Sequence, residues 1–244
     1  MSASVNGRSA VYTRKQASGS GIKNKFSTTV VTYTFPKTKA EPPYTFPFTD
    51  VPTGAWYYSS VLGAHKMGLI NGKTETLYMP ENNMTYAEAV KLAACMHQLY
   101  NDGEVTLTKG SPYWYSSYFE YCRDNGIIPE KSNAFEPGCD DLLKIADTTI
   151  TRAGYALLFS RALPDEALAE KNTIPDDSIP DVGMTMSVYD QAIYKLYRAG
   201  IVNGRDIRGT FSPDSNIQRS EVAAILIRMM DPTARVAAPA ELGK

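Results

Sequence analysis

The chain has 244 residues, 43% of them hydrophobic and 21% charged, with a formal net charge of −1. This is an ordinary globular composition, sufficient for a real core and one or two domains, and no apolar run approaches the ~20 residues of a membrane-spanning helix. The first residues, MSASVNGRSAVYTRKQ, lack the apolar stretch of a secretion signal, which leaves export specified elsewhere or the chain a fragment of a longer one.

Residues 1–45 read as a basic extended arm. Arg8, Arg14, Lys15, Lys23, Lys25, Lys37 and Lys39 stand against the single acid Glu41, so the remainder carries about −7. Within the arm, Ser27 to Phe35 alternates Val31, Tyr33 and Phe35 with Thr32 and Thr34, the period of one β-strand. A strand without a local partner is expected to pair with another chain or a neighbouring domain, or to lie along helices. Pro36, Pro42, Pro43 and Pro47 keep the connection that follows extended.

From residue 46 onward the chain aligns with itself three times, over 46–105, 106–170 and 171–231, each copy a helix-loop-helix unit, so the fold class is all-α. The first helix of each copy closes on Gly68-Leu-Ile, Gly126-Ile-Ile or Gly200-Ile-Val, with glycine where a left-handed cap belongs. Twelve residues before these glycines stand Trp56, Trp114 and Val188. From there the same spacing gives Ser60, Val61 and Ala64; Tyr118, Phe119 and Cys122; and Ala192, Ile193 and Leu196, one helical face repeated three times.

A polar loop then leads to Pro80, Pro137 or Pro213 and a second helix opening on Thr85-Tyr-Ala-Glu88, Thr151-Arg-Ala-Gly154 or Gln218-Arg-Ser-Glu221. The first of these is a complete capping box and the other two keep half of one. Val90, Ala93, Ala94 and His97, and Ala223, Leu226, Ile227 and Met230, then supply a buried face. The second copy carries extra residues near 139–149, expected to form a longer loop or an extra turn. Leu163 to Ile174 reads as the link between the second and third copies, and 232–244 as a trailing linker.

In order, Phe48-Thr-Asp50-Val51, Trp56, Gly68-Leu-Ile, Asn71-Gly72, Pro80 and Thr85-Tyr-Ala-Glu88 resemble an S-layer homology repeat. Ile179-Pro-Asp181-Val182, Gly200-Ile-Val, Asn203-Gly204, Phe211-Ser-Pro213 and Gln218-Arg219-Ser-Glu221 repeat that order. The second copy keeps Trp114, Phe135-Glu-Pro137 and Thr151-Arg152-Ala, but it lacks the Asp-Val opening and carries Gly154 in place of Glu. The resemblance implies a pseudo-threefold bundle whose grooves between repeats bind secondary cell-wall polymers bearing pyruvylated sugars, so holding surface-layer proteins and exoenzymes on the bacterial wall. The partner implied is a cell-wall polysaccharide and the location the cell surface.

By the same resemblance, the carboxylate-binding Arg corresponds to Arg152 and Arg219, with Tyr86 in that place in the first copy. Trp56 and Trp114 match the aromatic position, Asp50 and Asp181 the opening acid, and Asn71-Gly72 and Asn203-Gly204 the loop. A ketal carboxylate suits two parallel bonds from a guanidinium at a helix start, helped by the helix dipole. Tyr86 cannot supply that charge, so at most two acid-binding grooves are expected. Simpler roles compete: core filling for the two Trp, helix capping for Asp50 and Asp181, turn geometry for the glycines, surface salt bridges for the two Arg. Glu88 and Glu221 are assigned to capping.

Nothing in the sequence suggests catalysis, a metal or a cofactor. The histidines are His65 and His97 alone, and no HExxH, GxSxG or GxxxxGK[ST] string occurs. Asp140-Asp141 and Asp176-Asp177 read as solvated loop acids without an ordered calcium loop. Cys95, Cys122 and Cys139 fit neither a metal clip nor a disulfide framework, and the first two fall among apolar residues as core thiols. The rival reading is an assembly protein of a surface lattice or particle that keeps the fold, has lost the glycan site and joins subunits or partner proteins through residues 1–45. The arm's lysines are too sparse for a nucleic-acid tether.

Overall fold

The computed structural model describes residues 4–6, 9–18, 25–34, 44–133, 137–185 and 187–243. Two compact units divide between Phe46 and Pro47. In the first, β1 (Ser4–Asn6), β2 (Ser9–Ser18) and β3 (Lys25–Thr34) form an antiparallel meander in the order β1-β2-β3. The register pairs Ser9 with Thr34 and Ser18 with Lys25. This corrects the expectation of a lone strand. The Ser27–Thr34 alternation is real, but its partner is local: Ser9–Ser18, whose Arg14, Lys15 and Gln16 masked a strand signal. Phe35, Pro36, Pro42 and Pro43 lie outside the described residues.

The second unit is all-α. Its first helices are α1 (Tyr58–Lys66), α3 (Ser116–Asp124) and α6 (Val188–Arg198); its second helices are α2 (Tyr86–Asp102), α5 (Arg152–Ser160) and α7 (Arg219–Met230). The extra residues of the middle repeat make a short helix, α4 (Cys139–Lys144). Each first helix ends in the same motif. Gly68, Gly126 and Gly200 sit at φ of 71, 70 and 71°, and the amide after each glycine reaches back to Ala64, Cys122 or Leu196 at 3.0, 2.8 and 3.0 Å. Of the predicted inner faces, Val61, Ala64, Tyr118, Phe119, Cys122, Ala192, Ile193 and Leu196 are buried, whereas Ser60 is half-buried.

The second helices start as their caps predict. Thr85 and Glu88 form the full reciprocal box, Thr151 accepts from the Gly154 amide at 3.1 Å, and Glu221 accepts from the Gln218 amide at 3.1 Å. The first two amides of each second helix are satisfied from another repeat. Tyr86 and Ala87 donate to Thr148 and Ala146 at 3.0 and 2.8 Å, Arg152 and Ala153 to Ser215 and Pro213 at 2.8 and 3.0 Å, Arg219 and Ser220 to Asn82 and Pro80 at 2.9 and 2.9 Å. Orphan donors at helix starts thus become inter-repeat bonds.

Just ahead of these helices the three strandlike segments bridge one another. Met84 donates to Ile217, Ile217 to Ile150, and Ile150 back to Met84, at 3.0, 3.4 and 2.9 Å, with all three side chains buried. The ring closes a pseudo-threefold axis. Around it each second helix packs on the first helix of the next repeat: α2 on α3, α5 on α6, α7 on α1. The three cysteines are buried in this unit, and burial pushes each thiol's pKa up, keeping it protonated.

The expected trailing linker is instead docked. The Val236 amide donates to Gly200 O at 2.9 Å, Glu241 to Ile207 O at 3.0 Å, and Asn172 Nδ2 to Val236 O at 3.1 Å. Linker-like composition misled because backbone bonds and the Arg235 guanidinium, which donates to the carbonyls of Arg228, Ala169 and Ala167, hold this segment without an apolar period. Substituting Ala for Gly68, whose added Cβ meets nothing, should cost about 1–2 kcal/mol from the left-handed backbone alone. At Gly200 the new Cβ would stand 2.6 Å from Val236 O, so urea melts of Gly200→Ala should show the larger loss. The Tyr155 hydroxyl is buried and has no hydrogen-bond partner among the described residues, so Tyr155→Phe should leave the urea midpoint unchanged or raise it, by about 1 kcal/mol.

Candidate functional site

Three grooves run between the repeats; two are lined from all three and the one at the first repeat from the first and second. The groove at the third repeat is walled by Val202, Asn203 and Gly204 and by Glu221, Ala224, Ile225 and Arg228 of α7; Arg152 of the second repeat and Trp56 of the first complete it, around about 430 Å³ of open space. Its counterpart at the first repeat holds Asn71, Gly72, Glu88, Lys91 and Leu92, with Lys109 and Trp114 from the second repeat, around about 710 Å³. The groove at the second repeat is lined by Ile127, Ile128, Pro129, Gly154 and Leu157 with Tyr86 and Tyr189, around about 420 Å³.

In the first two grooves one charged network recurs. Asp181 accepts the amides of Phe211 and Ser212 at 2.8 and 2.6 Å, and Asp50 those of Tyr78 and Met79 at 2.8 and 2.7 Å. These clamps hold turns in which Ser212 and Met79 sit at φ of 59 and 58°, an expensive conformation for a residue with a side chain. The turn carbonyls then receive arginine: Arg152 Nε donates to Phe211 O at 2.7 Å and Arg219 Nε to Tyr78 O at 3.0 Å. Each guanidinium lies over the same residue's ring, 4.9 Å from the Phe211 centroid and 4.6 Å from that of Tyr78.

Glutamate closes each network. Glu221 Oε2 caps its own helix while Oε1 accepts from Arg152 Nη1 at 2.5 Å; Glu88 Oε2 does the same for Thr85 while Oε1 accepts from Arg219 Nη1 at 3.2 Å and Lys73 Nζ at 2.5 Å. Arg219 Nη2 goes to Asn71 O at 2.8 Å. Desolvation in this setting lowers the Arg152 pKa, against the pull of Glu221.

Comparison with known proteins bears on this arrangement directly. The S-layer homology domain family matches residues 47–90 and 178–223, the two stretches that carry the Asp clamp, the Asn-Gly loop and the Glu cap. In these two stretches the chain is similar to S-layer homology domains. Over 119 residues, 48% of the chain, it is 26% identical to a surface-layer 125 kDa protein of Lysinibacillus sphaericus, covering 10% of that protein. It is 26% identical over 67% of its length to exoglucanase XynX of Acetivibrio thermocellus and 25% identical over 69% to an amylopullulanase of Thermoanaerobacterium thermosulfurigenes, spanning 14% and 9% of those proteins. The middle repeat lies outside both matched stretches; its Schellman turn and its place in the hydrogen-bonded ring make it a structural equivalent.

Within these repeats the predicted site residues take different places. Trp56 and Trp114 do not fill the core: they are 64% and 37% exposed, each set edge-on against the tyrosine that follows it, Tyr57 or Tyr115. Asp50 and Asp181 cap no helix; both carboxylates are engaged by loop amides. Gly72 and Gly204 set the loop, since an added Cβ would stand 2.3 Å from Thr74 O or 2.6 Å from the Gly209 carbonyl carbon. Arg152 and Arg219 are 4% and 5% exposed, so neither forms a surface salt bridge. The helix dipole offers them no shared anion site, because the first two amides of α5 and α7 are already bonded.

All three nitrogens of the Arg219 guanidinium have protein acceptors, whereas Arg152 Nη2 has none among the described residues. As Tyr155 Oη is the one buried side-chain polar atom there without a partner, Arg152 Nη2 reaches solvent. The other cations lining the grooves are Arg228, whose Nη1 donates to Ile201 O at 3.1 Å, Lys91 and Lys109, and Arg161. Sequence reading missed these. Lys91 follows Glu88 by one helical turn and Arg228 follows Glu221 by two, a same-face spacing that could have flagged both; Lys109 comes from another repeat and has no local signal. The pair role of Glu88 and Glu221 was also missed behind their caps.

Of the acids read as solvated, Asp141 is engaged by Ser132 and Lys144, Asp176 by Arg198 and Asp177 by the Met184 amide. Among the described residues no helix is long and apolar enough to cross a membrane. Removing Arg152 leaves Glu221 without a cation, and removing Arg219 leaves Glu88 with Lys73 alone and takes the donor from Tyr78 O and Asn71 O. Arg219→Ala or Arg152→Ala should lower the unfolding free energy by about 3–5 kcal/mol, against under about 1 kcal/mol for Lys144→Ala, whose partner Asp141 is also largely exposed. Urea titrations of the three variants check this ranking.

Proposed function

We propose that the helical unit is a non-catalytic anchor that binds an acidic, pyruvylated secondary cell-wall polymer and holds a surface-layer or other surface protein on a bacterial wall. S-layer homology domains typically anchor surface proteins, and the relatives include one surface-layer protein and two enzymes named for polysaccharide substrates. The observation that carries the reading is the repetition of one polar groove: an exposed Trp from another repeat beside an Asn-Gly loop and cations, with a buried Arg bracing the loop side, Arg152 in the lining of one groove and Arg219 bonded to Asn71 O behind the other. The Trp face suits the apolar face of a sugar ring, and the cations suit a ketal carboxylate. In this reading Arg152 contacts the acid through Nη2 together with Arg228, Lys91 and Lys109 serve the other groove, and Arg219 positions the Asn71 loop. Asp50 and Asp181 act indirectly, by fixing the turns that receive the arginines.

The assembly alternative, which Tyr86, Val188 and Gly154 favour, would join subunits through the arm, and in the arm the strand it would donate, β3, is paired with β2.

The test is co-sedimentation with sacculi of a pyruvylating bacterium, before and after acid extraction of the secondary polymer. Because the arginines are structural, the informative variants are Trp56→Ala, Trp114→Ala and Lys91→Ala. Each Trp truncation should weaken binding about tenfold, about 1.4 kcal/mol, with the urea midpoint unchanged, and extraction should abolish binding. Full binding to extracted sacculi, or by the double Trp variant, would sink the proposal.

A further inference from the structure

The two polar grooves hold their Asn-Gly loops in different ways. In both, the outgoing limb of the loop is tied to the returning limb by an equivalent bond, Lys73 N to Leu77 O at 2.9 Å in the first repeat and Arg205 N to Thr210 O at 2.9 Å in the third. The returning limb of the first loop is then fastened to the opening segment of its own repeat, where the Thr49 amide donates to Thr76 O at 2.9 Å. At the matching place in the third repeat stands Pro180, which has no amide hydrogen to give. The matching carbonyl, that of Gly209, accepts from Tyr197 Oη at 2.8 Å, and the other face of this limb is met by residues 235–242.

That support is a stack of close contacts. A Cβ on Gly204, which lines the groove, would stand 2.6 Å from the Gly209 carbonyl carbon; a Cβ on Gly209 would stand 2.8 Å from Leu242 Cδ1 and 3.0 Å from Pro239 Cγ. Groove wall, returning limb and C-terminal segment thus touch in that order. Backbone bonds fasten the segment along its length, from the Val236 amide to Gly200 O at 2.9 Å and from the Glu241 amide to Ile207 O at 3.0 Å. Arg235 anchors its start on the carbonyls of Arg228, Ala169 and Ala167, and Arg228 is itself a cation of this groove.

Building on the wall-anchor reading, we infer that residues 235–242 are a positioning strap for the groove at the third repeat, holding the Asn203-Gly204 loop in its binding shape from behind. Affinity in that groove depends on the strap, and affinity in the groove at the first repeat, whose loop Thr49 fastens, does not. A surface loop with few buried contacts opens at low free energy. Without the strap the cost of ordering the loop falls on the ligand.

The test compares the full chain with two strap variants, one ending at Arg235 and one of full length carrying Pro239→Ser and Leu242→Ser, so that a failure of the shortened chain to fold leaves the second to decide. Amide hydrogen exchange reads the loops without ligand: the Arg205 amide should exchange at least about tenfold faster in the variants while Lys73 keeps its rate. NMR titration with a methyl hexoside bearing a pyruvate ketal reads the grooves through the two indole N–H signals, Trp56 for the third repeat and Trp114 for the first. The midpoint at Trp56 should rise about tenfold in the variants, and that at Trp114 should hold. The inference falls if Arg205 keeps its protection in the folded variants, if Lys73 loosens as much as Arg205, or if Trp56 titrates as in the full chain. Indoles silent in the full chain would count instead against the wall-anchor reading, and exchange at Arg205 would still decide for or against the strap.

Discussion

The whole helical unit depends on how the starts of three helices are satisfied. Each second helix begins with amide groups that its own turns cannot bond, and each hands two of them to carbonyls of another repeat. Because the donors run in one cyclic sense, through Met84, Ile217 and Ile150, no repeat can be closed without the other two. A single helix-loop-helix of this size has too little core to stand alone; the ring makes three of them one structure, and the packing of each second helix on the next repeat's first helix buries what the ring brings together.

The charged networks are built on that ring and explain why two grooves are alike. An Arg at the first helical position points back across the inter-repeat contact, so it meets the neighbouring loop and the neighbouring Glu as a matter of register. Its burial would be costly unpaired. The Glu that caps one helix with one oxygen holds the preceding repeat's Arg with the other, and the Asp clamp fixes the loop carbonyl that accepts from the Arg Nε. Cap, clamp and cation are therefore one device. When the middle repeat loses its Glu and Asp, its neighbour carries Tyr86 where the others have Arg, and the groove that remains keeps Arg161 in a mostly apolar lining.

The same geometry separates support from contact. Arg219 has its guanidinium nitrogens occupied and serves the fold, while Trp56 and Trp114 stand out into solvent where core filling was a plausible reading of the sequence. What faces the two polar grooves, Lys91, Lys109 and Arg228 beside the tryptophans, is a smaller and differently composed set than the motif residues. A sequence motif marks what the fold cannot do without, and here that is mostly the scaffold of the site.

The sequence by itself determined the repeat count, the helix ends and the inner faces, because Schellman glycines, capping residues and a 3.6-residue apolar period are local interactions written within a few residues of one another. It also determined that one groove would differ, since Tyr86 and Gly154 are visible as departures from the pattern. It misjudged the arm, where a strand rich in Arg, Lys and Gln shows little alternation of polarity, and the C-terminal segment, whose docking uses backbone bonds and the reach of Arg235 to distant carbonyls. Only the tertiary structure decided that each groove is built from more than one repeat, that Glu88 and Glu221 pair with arginines 131 and 69 residues away, and that the arginines are buried. Those facts follow from the cyclic order in which the repeats close, a long-range relation that no local pattern encodes.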